Sequence, residues 1–224
     1  MLPRVFISNL VSLDGRIEGF PADPTLYYTL SAQSGADTHL TGADTLLSGD
    51  DSLQPDGEGE YQGPEPDPDD PRPLLVVTDS RGRVRHWQQL RTMPYWRDQV
   101  ALCSRATPAE HLDYLRRSRV HTIIAGEDKV DLRAALEELA DRFGSRLVHA
   151  DSGGTLNAAL LAAGLVQEVS LLVYPYLVGG DQARPLFRFF DPAAKEGPLG
   201  LRLTHVEQFP DNILWLRYEV ESRT

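Results

Sequence analysis

Short apolar runs alternate with helix-patterned stretches along most of this 224-residue chain, and that alternation predicts the fold. Residues 5–11, 74–78, 100–103, 120–124, 147–149 and 168–174 read as strands: brief and apolar, with several bounded by turn residues such as Asp14-Gly15. Thr45-Leu46-Leu47 is a further short buried strand candidate. Residues 24–39 carry helical character, with Asp23-Pro24 as the start. Thr107-Pro108-Ala109-Glu110 has the pattern of a capping box with proline at the first helical position, and opens a helix to about Arg119. Asp131 caps another helix, in which Leu132, Leu136, Leu139 and Phe143 keep one face and Gly144 ends the run. Residues 155–163 form one more, stopped by Gly164. The chain closes with 201–209 and 213–220, joined by Pro210-Asp211-Asn212. Strands that alternate with helices imply an α/β fold, a largely parallel sheet covered on both faces, here with an antiparallel C-terminal hairpin. One domain over 1–224 is expected.

Residues 50–73 break the pattern. They are rich in acid and proline and too polar to bury, so they read as a mobile surface insertion, with a lid as the alternative.

Composition narrows the function. A chain that is 41% hydrophobic and 25% charged is that of a soluble globular protein, and no apolar run is long enough to cross a bilayer. No signal peptide follows Arg4, and the single cysteine, Cys103, excludes an internal disulfide, so a cytoplasmic location is expected. The six histidines form no His-x-x-x-His or His-Glu-x-x-His pattern, so no metal site is expected. His149, at a strand end before a glycine turn, is the one that stands near candidate chemistry, with core packing as its ordinary explanation. A net charge of −11 argues against nucleic-acid binding and means that an anionic ligand must be drawn in by local features.

The most informative local feature is Asp151-Ser152-Gly153-Gly154 between a strand and a helix. Two glycines let backbone lie against a ligand, and the helix start behind them offers unpaired N–H groups suited to phosphate. An ordinary strand-to-helix turn accounts for the same residues equally well.

The residues around this turn carry a resemblance. The run from Asp151 to Val169, followed by Pro175-Tyr-Leu-Val-Gly-Gly180, resembles the reductase domain of RibD-type riboflavin biosynthesis proteins, within the dihydrofolate-reductase-like superfamily. Ser12-Leu-Asp14-Gly-Arg-Ile17 matches the family's Ser-x-Asp-Gly-x-Ile, and Val77-Thr78-Asp79-Ser80-Arg81 its strand followed by Asp-Ser. The resemblance implies a three-layer fold, a homodimer paired through its sheets and last hairpin, and NADPH as cofactor. Gly153, Gly154, Thr155 and Leu156 would wrap the pyrophosphate, with the Gly-Gly peptide often cis in the superfamily. Leu177, Val178 and Gly179 would lie beside the nicotinamide. Ser80 and Arg81 stand where a 2′-phosphate would be read, Arg83 and Arg85 being weaker candidates, and Thr78 just before them would also contact the cofactor. Asp14, with Ser12 beside it, borders the substrate in the resembling enzymes and would bind its hydroxyls or order a water on the proton's path.

Three departures bear on the substrate. The zinc deaminase motif that accompanies many such reductases is absent. The arginines the family carries near the substrate's ribose phosphate are replaced by Gly35-Ala-Asp-Thr-His-Leu-Thr-Gly42. The Val-Gly-x-Gly-Thr loop with its Asp-Asp-Pro is compressed to Leu47-Ser-Gly-Asp-Asp-Ser52. The expectation is therefore an NADPH-dependent reductase acting on a carbonyl or imine of a small heterocyclic or ribityl-like molecule. That substrate either lacks a 5′-phosphate or presents it to a different basic residue. The alternatives are the riboflavin-pathway 5-amino-6-(5-phosphoribosylamino)uracil reductase itself and a nucleotide-binding protein without turnover.

Overall fold

The computed structural model describes residues 1–49, 54–57, 59–67, 69–180, 184–187 and 198–221. The chain divides into two compact units, one of Met1–Pro3 with Asp37–Arg146, the other of Arg4–Ala36 with Leu147–Thr224.

The first unit is built on four parallel strands, β2 (Thr38–Gly42), β3 (Leu74–Thr78), β4 (Asp98–Cys103) and β5 (His121–Ile124), each paired with the next. Leu74, Leu75, Val76 and Val77 are all buried, as in a parallel strand covered on both faces. Leu75, Val77, Ala101 and Cys103 pack against Trp87 and Leu90 of α3 (Trp87–Thr92) and against Tyr114 and Leu115 of α4 (Ala109–Arg117). The Cys103 thiol lies in this core, and burial pushes its pKa up to about 12, so it stays protonated and inert.

Three local expectations are corrected in this unit. Thr45, Leu46 and Leu47 lie inside a helix, α2 (Ala43–Gly49), and the strand sits just before them at Thr38–Gly42. The helix expected over 24–39 ends at Gln33, because Gly35 turns the chain with φ +69° and the residues beyond pair with β3. That pairing is non-local, and a local pattern does not reveal it. The capping box is not formed either: α4 begins at Ala109 without a side-chain cap. The Thr107 hydroxyl instead donates to the Ser80 carbonyl (2.9 Å) and accepts from the Ser104 N–H (3.0 Å).

The acidic insertion makes a few contacts where it is described; residues 50–53, 58 and 68 lie outside the described residues. The Asp56 carboxylate accepts from the Tyr114 hydroxyl (2.6 Å) and the Gln88 N–H (2.9 Å), and the Tyr61 N–H donates to the Arg117 carbonyl. Arg91 covers the Tyr61 ring, and Glu65 pairs with Arg119. A segment too polar to bury is thus tied to α3 and α4 by its own acids and one aromatic ring, which a composition argument overlooks.

The second unit holds β6 (Leu147–Ala150), β1 (Arg4–Ser12) and β7 (Glu168–Tyr174) in parallel, then β9 (Ile213–Val220) and β8 (Leu201–Phe209) antiparallel. Parallel strands with a C-terminal antiparallel hairpin are the α/β arrangement the sequence implies. Pro210, Asp211 and Asn212 close the hairpin as a three-residue turn between Phe209 and Ile213, with Asp211 and Asn212 at φ +62° and +61°, a left-handed conformation that Asp and Asn tolerate. Helix α1 (Pro24–Gln33) starts as read: the Asp23 carboxylate accepts the Thr25 N–H at 2.8 Å. Its Tyr27 packs with Leu172, Tyr174 and Ile213. Strand β8 is exposed along most of its length, including Leu201, Leu203 and Val206. No helix among the described residues is long and apolar enough to cross a membrane.

Candidate functional site

The glycine turn lies in the second unit, between β6 and α6 (Gly154–Ala162). Gly153 is the N-cap, in extended backbone, and no side chain caps the helix. The first-turn N–H groups of Gly154, Thr155 and Leu156 thus face no capping side chain, and the helix dipole adds its positive end. Two buried asparagines fix the turn from behind. The Asn9 and Asn157 amides each donate to the Ser152 carbonyl at 3.0 Å, and Asn157 also donates to Asn9 Oδ1 at 2.9 Å. Sequence reading missed both, since neither forms a local motif. The Gly153–Gly154 peptide is trans, as is every peptide among the described residues, contrary to the cis form the resemblance suggested. A side-chain-free, uncapped helix start with a braced turn fits a pyrophosphate.

In the same unit the first-strand motif folds onto the segment expected at the nicotinamide. Asp14 Oδ1 accepts from the Ser12 hydroxyl (2.6 Å) and the Val178 N–H (3.1 Å), while Oδ2 accepts from the Gly179 N–H (2.8 Å). Arg16 Nε stands 3.7 Å from Oδ2. The Ser12 hydrogen bond, then those of Gly179 and Val178, hold the Asp14 carboxyl well below the usual carboxylate range. Asp14 is therefore ionised at neutral pH and has no proton to give. Ser12 is buried, and its hydroxyl is already engaged with Asp14 and the Arg16 N–H. Gly179 needs its glycine, at φ +63°, and Leu177 is 76% exposed, an apolar surface beside the clamped segment.

The first unit holds the other group. Thr78 ends β3, half-buried, its hydroxyl 3.4 Å from the Thr41 carbonyl. The buried Asp79 carboxylate accepts the Val84 N–H (2.8 Å) and so closes the loop between them. Gly82 turns that loop at φ +65°, directly over His111: a Cβ there would lie 2.7 Å from the imidazole Cγ. Ser80 Oγ accepts the Val130 N–H at 3.1 Å and keeps its own proton to donate. The three arginines then separate. Arg83 is paired with Asp44 (2.7 Å), and Arg85 is paired with Glu110 (3.3 Å) and lies over the Tyr114 ring. Arg81 is exposed and has no ion-pair partner among the described residues. Among the described residues no group of three or more His, Cys, Asp or Glu side chains is arranged to hold a metal ion.

Comparison with known proteins supplies the family. A curated reductase from Methanothermobacter thermautotrophicus, named 2,5-diamino-6-ribosylamino-4(3H)-pyrimidinone 5′-phosphate reductase, is 36% identical over 120 residues, 51% of each chain. The match therefore spans about half the length of that relative. A protein of the same name from Archaeoglobus fulgidus is 30% identical over 187 residues, covering 80% of this chain and 84% of that one. A solved pyrimidine reductase-like protein from Corynebacterium diphtheriae shares the fold, with a TM-score of 0.75 at 18% identity, over 99% of this chain and 93% of that one. The family model of the RibD C-terminal domain matches residues 3–215, and the chain belongs to that family.

Proposed function

We propose that this protein is an NADPH-dependent reductase of a ribosylaminopyrimidine 5′-phosphate, the class of substrate for which its two archaeal relatives are named. The observation that carries the reading is the braced, uncapped helix start at Gly153–Leu156 in a member of the RibD C-terminal family. NADPH when bound would supply a hydride to a carbonyl or imine carbon; the protein supplies orientation, exclusion of water and a proton. Gly153, Gly154, Thr155 and Leu156 take the pyrophosphate. Leu177, Val178 and Gly179, held by Asp14, form the wall beside the nicotinamide. Ser80 and Arg81 read the 2′-phosphate, and Thr78 contacts the cofactor just before them. Ser12 and Asp14 border the substrate, Asp14 as a fixed negative charge able to order a water. The natural location is the cytoplasm, and the working form is a homodimer, a reading supported by the exposed Leu201, Leu203 and Val206 of β8.

The names of the relatives favour a phosphorylated substrate, yet the stretch 35–42 offers no arginine for that phosphate. The phosphate then meets a different basic residue. The test is NADPH oxidation on the phosphorylated ribosylaminopyrimidine and on its dephosphorylated form. Faster turnover of the phosphorylated compound supports the reading, equal turnover makes the phosphate irrelevant, and no turnover of either leaves a nucleotide-binding protein without reductase activity.

A further inference from the structure

Asp56 belongs to the acidic insertion, yet it is half-buried and its hydrogen bonds converge on one place in the first unit. Its N–H donates to the Arg85 carbonyl, and Oδ2 accepts from the Tyr114 hydroxyl (2.6 Å) and the Gln88 N–H (2.9 Å). Gln88 stands in the first turn of α3, and His86, just before that helix, gives it no side-chain cap. Asp56 supplies the capping carboxylate from outside the helix. Reciprocal bonds between Gln54 and Gln89, at 3.3 and 2.7 Å, lay the same stretch along α3. Tyr114 is buried, and burial, followed by its bond to Asp56, raises its pKa above the ordinary phenol value. Its hydroxyl therefore stays a donor.

The loop that carries Ser80 and Arg81 runs from Asp79 to Arg85 and is anchored differently at its two ends. At the first end the Asp79 N–H donates to the Leu102 carbonyl (2.9 Å), while Ser80 is held by the Thr107 hydroxyl (2.9 Å) and the Val130 N–H (3.1 Å). At the far end the Asp79 carboxylate accepts the Val84 N–H (2.8 Å), and the Arg85 carbonyl accepts the Asp56 N–H. The Arg85 guanidinium lies 5.0 Å from the centroid of the Tyr114 ring, so Tyr114 touches both Asp56 and Arg85. Three residues earlier on α4, His111 meets the Tyr114 ring with centroids 5.7 Å apart and packs under Gly82. A continuous line of contacts thus runs from the insertion to the turn of the loop.

We propose that Asp56 is a positioning residue for cofactor discrimination: through Tyr114 and Arg85 it fixes the far end of this loop, and so places Ser80 and Arg81 for the 2′-phosphate. The proposal rests on the NADPH reading above. An arginine on a loose loop must be ordered at the moment of binding, and that cost is subtracted from its charge-assisted bonds. A loop already fixed avoids the cost. NADH carries no 2′-phosphate and gains nothing from the order. The sign of the charge effect separates this role from simple electrostatics. Removing a negative charge near Arg85 favours an anionic ligand through space, so a loss of NADPH affinity on substituting Asp56 reports position.

The experiment titrates NADPH and NADH by fluorescence against wild type, Asp56→Asn, Tyr114→Phe, Arg81→Ala and the two double variants that include Arg81→Ala. Amide exchange of Gly82 and Val84 is followed by NMR in the cofactor-free proteins. Asp56→Asn and Tyr114→Phe should each weaken NADPH about tenfold, a usual size for coupling between residues in contact, and leave NADH within about twofold. In the Arg81→Ala background neither should weaken NADPH by more than about twofold, because the aligned guanidinium is already gone. The Val84 N–H should exchange faster in both single variants. Tyr114→Phe alters no charge and keeps the ring under Arg85, so it serves where Asp56→Asn fails to fold. Equal weakening of both cofactors, or the full loss again in the Arg81→Ala background, marks a merely structural contact and overturns the proposal. Unchanged Val84 exchange overturns it as well. A wild type that binds NADPH and NADH equally overturns the NADPH reading, and the role of Asp56 with it.

Discussion

The Asp14 carboxylate accepts the backbone N–H of Gly179 at 2.8 Å, joining the turn after the first strand to a segment 165 residues away. With the Val178 N–H and the Ser12 hydroxyl on the same carboxylate, Asp14 acts as the clamp of the Leu177–Gly179 wall. A residue that reads from sequence as a substrate contact is, first, a holder of backbone.

The clamp makes a prediction with a pH sign. The folded pKa of Asp14 lies below its ordinary value of 3.8, so its contribution to stability is present above about pH 4 and is lost as the pH falls towards the folded value. Asp14→Asn should lower Tm at pH 7 and weaken NADPH binding, because an amide cannot accept from both Gly179 and Val178 as the carboxylate does. The difference in Tm from wild type should shrink when the melts are repeated at pH 3. A gap that stays constant between the two pH values would count against an ionised clamp.

Arg81→Ala should cost about 1.5–3 kcal/mol of NADPH binding, roughly tenfold to a hundredfold, and leave NADH binding as it was. Arg83→Ala should do much less, because Arg83 already spends its charge on Asp44. Titrating both cofactors against the three proteins checks this. Equal affinity of wild type for NADPH and NADH would show that Arg81 reads no phosphate.

At the glycine turn, Gly154→Val places a branched side chain at the first helical position and should abolish NADPH binding. Circular dichroism shows whether the variant remains folded, and Asn157→Ala gives a second approach. Losing the amide that braces the Ser152 carbonyl should weaken NADPH binding with less disturbance of the turn. Undiminished affinity in both folded variants would place the pyrophosphate elsewhere.

For the assembly, sedimentation should give twice the mass of one chain at micromolar concentration. Introducing charge on β8 with Leu203→Lys and Val206→Lys should shift the protein towards the monomer, since both side chains are exposed apolar groups on that strand. A wild-type protein that sediments as a single chain would falsify the dimer.

Strand and turn chemistry was readable along most of the chain. The apolar runs Leu74–Val77 in β3 and Val100–Cys103 in β4 are continuous because both faces of those strands are covered, and continuity is visible in a window of four or five residues. The turn at Asp211-Asn212 and the start at Asp23-Pro24 were legible for the same reason, each being set by residues within three positions of one another. Glycine at 153 and 154 likewise announced backbone access without any knowledge of the rest of the fold.

Sequence by itself determined the period of most elements, the glycine turn and the family. Only the tertiary structure decided which polar groups meet. Thr38–Gly42 is a strand because Leu74–Thr78 lies beside it, although Thr45-Leu46-Leu47 looks the better candidate in isolation. Of Arg81, Arg83 and Arg85, equivalent in a string of letters, two are neutralised by Asp44 and Glu110 from other elements and one is left exposed. Asp14 and Asp151 are both acids at turns, yet three hydrogen bonds keep the first ionised and burial beside Tyr27 raises the second. The reason is physical: periodicity is a property of neighbours along the chain, whereas a proton's affinity depends on donors, charges and burial brought in from residues far away in sequence.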